Sequence, residues 1–145
     1  MEPVVETEVL VIGAGPTGLT AACLLSDHGV KVTLIERNPG TSDEPRAISI
    51  TDETLRVMQQ IGILDELEPE MLLGTGSRYY GRHGQLLASV VPVGTRLGQP
   101  GKSSFDQPVL EALLLAAAEK REHVNVWMNT ERPSSGTSAP TSRPP

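Results

Sequence analysis

The feature that most constrains the fold is a glycine-rich turn between two apolar segments near the N-terminus. Residues 9–12 are apolar, and Gly13, Gly15 and Gly18 follow them with the spacing GxGxxG. A second apolar run, residues 32–35, ends on the acid Glu36. GxGxxG alone is a weak signal. With a strand before it, a helix after it and an acid about 20 residues further on, it predicts a dinucleotide-binding βαβ unit.

Each residue type in this turn has a physical reason. Gly13 permits a sharp turn out of the strand, Gly15 leaves no Cβ where a pyrophosphate approaches, and Gly18 lets the helix lie close to the sheet. Pro16 is tolerated in the first helical turn, whose free N–H groups face an anion. Glu36 is placed to accept hydrogen bonds from the ribose hydroxyls. Singly, each has an ordinary explanation as a turn, packing or solvated residue; jointly they predict that backbone amides hold the pyrophosphate.

Length and charge limit the classes of protein that fit. The chain has 145 residues and 38% hydrophobic residues, enough for one domain with a core. Its net charge of −6 offers no basic face, so we expect neither nucleic acid nor anionic lipid as a partner. Residues 1–6 lack a basic leader, and no apolar run reaches the length of a membrane span. A cytoplasmic protein is the expectation.

The cysteine and histidines do not indicate a metal or catalytic site. Cys23 is the only cysteine, which excludes an intramolecular disulfide, and its helical position predicts a buried core residue. His28, His83 and His123 are far apart and lack ligand-like spacing, so no metal site is expected. The sequence identifies no catalytic residue.

After the second strand the chain makes a long excursion before it returns to the sheet. Residues 38–45 have the composition of a loop, and a helix follows that Ser49 or Thr51 is expected to cap. The apolar stripe of this helix is Leu55, Met58 and Ile61. A short helical piece is predicted at residues 64–67.

The second half of the excursion is predicted to contain a hairpin and a strong helix. Residues 78–80 and 86–91 form the hairpin, and residues 94–104 are expected to be irregular. Asp106 is the candidate cap of the helix, whose apolar face is Leu110, Leu113, Leu114 and Ala117. Residues 124–128 are the predicted third parallel strand, with Trp127 in the core.

The predicted fold is therefore α/β: a Rossmann-like βαβ unit with a small antiparallel hairpin excursion. About three parallel strands are predicted, whereas a doubly wound sheet usually has five or six, so we expect the fold to be incomplete relative to its parent. The predicted domain covers residues 1–131. Residues 132–145 are rich in Pro and Ser with almost nothing apolar to bury, so a disordered tail is expected.

The chain resembles the FAD-dependent aromatic-ring monooxygenases, the flavoprotein hydroxylases typified by p-hydroxybenzoate and 3-hydroxyphenylpropionate hydroxylases. The resemblance covers residues 4–130. Its motifs are VLVIGAGPTGL at residues 9–19, Glu36-Arg37, Pro45-Arg46-Ala47 and FDQPVLE at residues 105–111.

The resemblance implies a site for FAD in which the turn cradles the pyrophosphate and Glu36 holds the ribose. It further implies that Arg37 lies beside the adenine, that Arg46 reaches the phosphates and that Gln107 touches the cofactor near the ribityl or pyrophosphate. The alternative for Arg37 and for Arg46 is a solvated surface charge, and the alternative for Gln107 is an ordinary residue of the first helical turn. The residues implied in the turn are Gly13, Ala14, Gly15, Pro16, Thr17 and Gly18.

The activity implied by the family is hydroxylation of a phenolic substrate with NAD(P)H and O2, in which the flavin carries the chemistry. The family's later Asp-Gly and Gly-Asp motifs do not occur here, because neither dipeptide is present. The expectation is an N-terminal FAD-binding portion that is inactive alone. Two alternatives stay open: an NAD-dependent Rossmann dehydrogenase, disfavoured by the long excursion, and a non-enzymatic truncated remnant. The oligomeric state also stays open.

Overall fold

The computed structural model describes residues 6–131, so the predicted disordered tail at 132–145 lies outside the described residues. Four α-helices, a short 3-10 turn (Glu68–Glu70) and nine strands make up this part of the chain. In chain order they are β1 Val9–Ile12, α1 Pro16–Asp27, β2 Val32–Ile35, β3 Ser49–Thr51, α2 Asp52–Ile61, α3 Leu64–Leu67, β4 Ser77–Tyr80, β5 Leu86–Val90, β6 Thr95–Arg96, β7 Gln99–Pro100, β8 Lys102–Ser104, α4 Gln107–Glu119 and β9 Val124–Trp127.

Three parallel strands form the central sheet, in the order β1-β2-β9. Val32 of β2 pairs with Val9 on one side and with Val124 on the other. Parallel neighbouring strands cannot be joined by a short turn and need a crossover connection. Between β1 and β2 this crossover is α1. The predicted α/β fold class is confirmed, as are the bounds of the first two strands.

The core lies between this sheet and the helices, and it covers the sheet unevenly. All four residues of β2 are buried, as expected for a central parallel strand. In β1, by contrast, Leu10 and Ile12 are 50% and 60% exposed while Val9 and Val11 pack against the core. The predicted stripe of α2 is buried, and so are three of the four predicted apolar positions of α4; only Leu113 is partly buried.

One prediction about the excursion is wrong, and another holds for only one of its two residues. Ser49 belongs to a strand, β3, which pairs antiparallel with β8, and the segment predicted to be irregular contains β6, β7 and β8. Thr51 does occupy the N-cap position of α2, but its side chain makes no capping hydrogen bond. β3 and β8 pair over about 50 positions, and β6 and β7 have two residues each, so neither pair leaves a periodic signal in the local sequence.

The hairpin is confirmed as β4 and β5, whereas the prediction of a core position for Trp127 is wrong. Trp127 is 38% exposed because it lies on the same face of the sheet as Ile12, which is 60% exposed, whereas Val124 of the same strand is buried. The hairpin also leaves several large apolar side chains in solvent, namely Tyr79, Tyr80, Leu86, Leu87 and Val90.

Arg121 joins the C-terminal ends of three helices. Its guanidinium donates to both carboxylate oxygens of Asp27, at 2.8 and 3.0 Å, and to the carbonyl oxygens of Ile61 and Ala117. A cation is favourable at these positions because the C-terminal end of a helix carries a partial negative charge.

None of the helices within residues 6–131 combines the length and apolar character that a membrane crossing requires.

Candidate functional site: a dinucleotide cradle

The turn between β1 and α1 has a backbone that only glycine adopts easily. Gly13 has φ +103°, and its N–H donates to the carbonyl oxygen of Ile35 at 2.8 Å, which ties the turn to β2. Gly15 is the N-cap of α1, and Pro16 is its first residue. No side chain caps α1. The N–H groups of its first turn have no acceptor inside the helix, so they are available to a bound anion.

The glycines of the turn differ in what surrounds them. A Cβ built on Gly18 would lie 2.0 Å from the carbonyl oxygen of Gly13 and 3.3 Å from Cγ1 of Val11, so no side chain fits there. A Cβ built on Gly15 meets no protein atom within 4 Å, and its backbone is ordinary, with φ −78° and ψ 178°. Gly18 therefore serves close packing of helix on strand, whereas the space at Gly15 is open to a ligand.

Glu36 is fixed against this turn by hydrogen bonds to its side chain and its backbone. Its Oε2 accepts the N–H of Ala14 and its Oε1 accepts the N–H of Asn38, both at 2.9 Å. Its own N–H donates to the carbonyl of Trp127, and its carbonyl accepts the N–H of Thr130 at 2.8 Å. The hydrogen bond from Ala14, followed by that from Asn38, lowers the pKa of the Glu36 carboxyl below its ordinary value.

The ionised carboxylate of Glu36 keeps unused acceptor capacity. A carboxylate has about four acceptor positions, and the N–H groups of Ala14 and Asn38 occupy two of these. Glu36 is only partly buried, so the remaining positions are reachable. Two neighbouring hydroxyls of a ribose are donors of the right kind for them.

A cleft of about 430 Å³ opens beside this carboxylate at the carboxyl ends of β1 and β2. Ligands of open α/β sheets bind at such strand ends. Ile12, Gly13, Ile35, Glu36, Arg37, Thr130 and Glu131 line it. The structure thus brings together four of the predicted site residues: Gly13, Glu36 and Arg37 line the cleft, and Ala14 donates its N–H to Glu36.

The other predicted site residues lie outside this lining. Pro16 and Thr17 border an apolar groove of about 490 Å³ between α1, α2 and α4. Arg46 is exposed on the loop before β3. Gln107 is 6% exposed, and its Oε1 accepts the backbone N–H groups of Arg46 and Ala47.

Sequence reasoning missed two residues that shape the cleft. Asn38 supplies a backbone N–H to Glu36, and Thr130 closes the wall by donating its N–H to the Glu36 carbonyl. Both act through backbone groups, which any non-proline residue supplies, so their residue types gave no signal.

The sequence model of the FAD binding domain family matches residues 6–139 of this chain. The chain belongs to that family. FAD is therefore its cofactor, and the cradle fits the dinucleotide end of FAD: the space at Gly15 is open, the amides of the first turn of α1 are free of caps, and Glu36 keeps acceptor positions for a ribose.

Relatives of this FAD binding domain are much longer than the chain. A 3-(3-hydroxy-phenyl)propionate/3-hydroxycinnamic acid hydroxylase from Mycolicibacterium smegmatis is 38% identical over 119 residues, which are 82% of this chain and 21% of the relative. The corresponding hydroxylase from Comamonas testosteroni is 36% identical over 126 residues, 87% of this chain and again 21% of the relative. The chain thus spans about a fifth of the length of these relatives.

Solved structures have the same fold as this domain. The flavin-dependent monooxygenase PieE, in complex with FAD and substrate, aligns with a TM-score of 0.70 at 27% identity, over 88% of this chain and 24% of PieE. Aklavinone-11 hydroxylase, in a ternary complex with FAD and aklavinone, gives 0.65 at 28%, over 88% of this chain and 26% of that one. The p-nitrophenol 4-monooxygenase PnpA from Pseudomonas putida aligns with a TM-score of 0.72 at 24% identity, over 86% of this chain and 32% of PnpA. At this identity the likeness is one of fold alone.

Proposed function

We propose that this chain binds FAD through main-chain amides at the pyrophosphate and through Glu36 at the adenosine ribose. The turn residues assigned to the pyrophosphate are Gly13, Ala14, Gly15, Pro16, Thr17 and Gly18. The observation that carries the proposal is the Glu36 carboxylate, held at 2.9 Å by the Ala14 N–H with acceptor positions still free. A pyrophosphate at the N-terminus of α1 gains from both the free N–H groups and the helix dipole.

Three further side chains are proposed to contact FAD. Arg37 lines the cleft and is exposed, so its guanidinium is free to lie against an adenine ring. Arg46 is exposed as well, and its guanidinium suits a pair of phosphate oxygens. Gln107 keeps one amide hydrogen for the cofactor, since its Oε1 and its other hydrogen are engaged within the protein.

For the enzyme of which such a domain is a part, we propose hydroxylation of a small phenolic molecule with NAD(P)H and O2. The proposal rests on the activities of the relatives, which are hydroxylases of hydroxyphenyl compounds. The flavin supplies the redox chemistry, and the residues described here bind and orient its nucleotide end. We expect the chain alone to oxidise NAD(P)H very slowly or not at all, because the Asp-Gly and Gly-Asp motifs are absent from its sequence. A cytoplasmic location stays a prediction.

A titration with FAD, followed by flavin fluorescence, tests the binding proposal. We expect saturable binding by the parent chain and about tenfold weaker binding by Glu36→Gln, the equivalent of one lost hydrogen bond to a charged group. Glu122→Gln removes the same charge from an exposed position outside the cleft and should bind like the parent.

Two outcomes would contradict the proposal. Equal FAD affinity of Glu36→Gln and the parent would remove the assigned role of Glu36. Saturable binding of NAD without any binding of FAD would favour the dehydrogenase alternative instead.

A further inference from the structure

A buried polar pair lies at the start of α4, away from the residues that line the cleft. Gln107 and Glu111 are four residues apart and therefore share one face of the helix. They are 6% and 1% exposed, and Nε2 of Gln107 donates to Oε1 of Glu111 at 2.6 Å. Burying a carboxylate and an amide costs free energy unless both are hydrogen-bonded. The structure shows which groups satisfy them.

The remaining partners are all backbone N–H groups of one loop, the segment between β2 and β3. Oε1 of Gln107 accepts from Arg46 at 3.0 Å and from Ala47 at 2.8 Å, and Oε2 of Glu111 accepts from Ser42 at 3.2 Å. The loop is thus attached to α4 at its middle, Ser42, and near its C-terminal end, at Arg46 and Ala47. The side chain of Arg46 is exposed while its backbone is held.

Glu111 also determines which way the amide of Gln107 faces. A glutamine amide carries an acceptor on one side and a donor on the other, and the two orientations have almost the same shape. An ionised carboxylate only accepts, so it selects the orientation in which Nε2 faces Glu111. Oε1 is then turned toward the loop, where two N–H groups need an acceptor.

We infer that Gln107 and Glu111 are positioning residues for flavin binding: Glu111 orients the amide of Gln107, and together they hold residues 42–47 so that Arg46 is presented to the FAD phosphates. The inference deepens the proposed function and rests on it for the role of Arg46. Glu111 touches no cofactor in this assignment. It acts by orienting Gln107 toward the loop and by holding Ser42, and both contacts position Arg46.

An exchange of the two residues provides a sharp test. In Glu111→Gln the new side chain has one oxygen and one NH2 group, whereas both Ser42 and Gln107 present an N–H to it. Its oxygen can accept from only one of them, and its NH2 group then faces the other donor, so one hydrogen bond is lost. In Gln107→Glu two carboxylates face each other. In the double variant Gln107→Glu/Glu111→Gln the carboxylate faces the loop and the amide donates to it, while the amide oxygen accepts from Ser42, so every hydrogen bond is restored.

Hydrogen exchange of the chain without FAD measures the anchoring directly, because a lost hydrogen bond speeds the exchange of its amide. We expect the amide hydrogens of residues 42, 46 and 47 to exchange about tenfold faster in each single variant. In the double variant Gln107→Glu/Glu111→Gln they should exchange at the parent rate. Glu119→Gln, at the exposed end of α4, is the control and should leave these rates unchanged. Unchanged rates in both single variants would overturn the inference. If a single variant does not fold, the double variant decides. A folded double variant with protected amides at residues 42, 46 and 47 supports the inference, and one with unprotected amides overturns it.

FAD affinity then tests the link to Arg46. We expect about tenfold weaker binding for Glu111→Gln and for Arg46→Ala, and no further loss when the two are combined, because Glu111 acts through Arg46. Independent, additive losses would mean that Glu111 only stabilises the fold, and they would overturn the positioning role. Failure of the parent chain to bind FAD would instead overturn the proposed function, and the exchange rates would still decide whether the pair anchors the loop.

Discussion

The carboxylate of Glu36 and the backbone N–H of Ala14 are joined by a hydrogen bond of 2.9 Å, although the two residues are 22 positions apart. The bond links the turn after β1 to the end of β2. It has two consequences, since it orients the acid toward the cleft and favours its ionised form. The same contact therefore contributes to the stability of the turn and to the charge that a ribose meets.

The first prediction is that the stabilising effect of Glu36 depends on pH. Its pKa is lowered in the folded chain, so the contribution is complete above the unfolded pKa of about 4.3 and is lost as the pH falls through the lower, folded value. We expect urea unfolding of Glu36→Gln to show a free energy about 1 kcal/mol below the parent at pH 7, since solvent screens this partly exposed group. The difference should shrink at acid pH. A difference that grows on acidification, or one equalled by Glu122→Gln, would contradict the assignment.

The second prediction separates the two roles of glycine in the turn. Gly15→Ala should leave the thermal stability unchanged but weaken FAD binding at least about tenfold, because its Cβ enters only the space left for the ligand. Gly18→Ala should lose several kcal/mol of stability, since its Cβ would overlap the Gly13 carbonyl. Gly40→Ala, which meets no atom within 4 Å, is the control. Equal FAD affinity of Gly15→Ala and the parent would show that the pyrophosphate lies elsewhere.

The local sequence predicts the β1-α1-β2 unit well because each of its signals lies within a few residues of the structure it specifies. The apolar run 9–12 becomes β1, Pro16 begins α1 and Glu36 directly follows β2. Here propensity, turn chemistry and hydrophobic pattern agree, and agreement across these levels is what makes a segment predictable.

The features that were not predicted depend on contacts between distant segments. The pairing of β3 with β8 joins residues more than 50 positions apart, and Gln107 reaches Arg46 over 61 positions. Trp127 was expected in the core, yet it lies on the partly uncovered face of the sheet that it shares with Ile12. Burial depends on which face of the sheet other segments cover, and the pattern of a single strand does not specify this.

The third prediction concerns the ion pair at the helix ends. Arg121→Ala should lower the free energy of unfolding by about 1–3 kcal/mol, because the residue makes charge-assisted hydrogen bonds to Asp27 and to two helix carbonyls while only 16% of its side chain is exposed. Arg96→Ala is the matched control: that arginine also pairs with an acid at 2.9 Å, but its side chain is 70% exposed, so a loss below about 1 kcal/mol is expected. Urea unfolding measures both. Equal losses would show that burial does not set the strength of the Arg121 pair.

The fourth prediction uses two neighbouring residues of β1 that point to opposite faces of the sheet. Val11 packs against the core, whereas Leu10 is 50% exposed. Val11→Thr should cost about 1–3 kcal/mol because it places a hydroxyl among apolar side chains. Leu10→Thr should cost less than about 0.5 kcal/mol and reduce the fluorescence of a dye that binds apolar surface. Threonine suits a strand at both positions, so backbone preference cancels in the comparison. A cost for Leu10→Thr as large as that for Val11→Thr, with unchanged dye binding, would mean that the Leu10 face of the sheet is covered in solution.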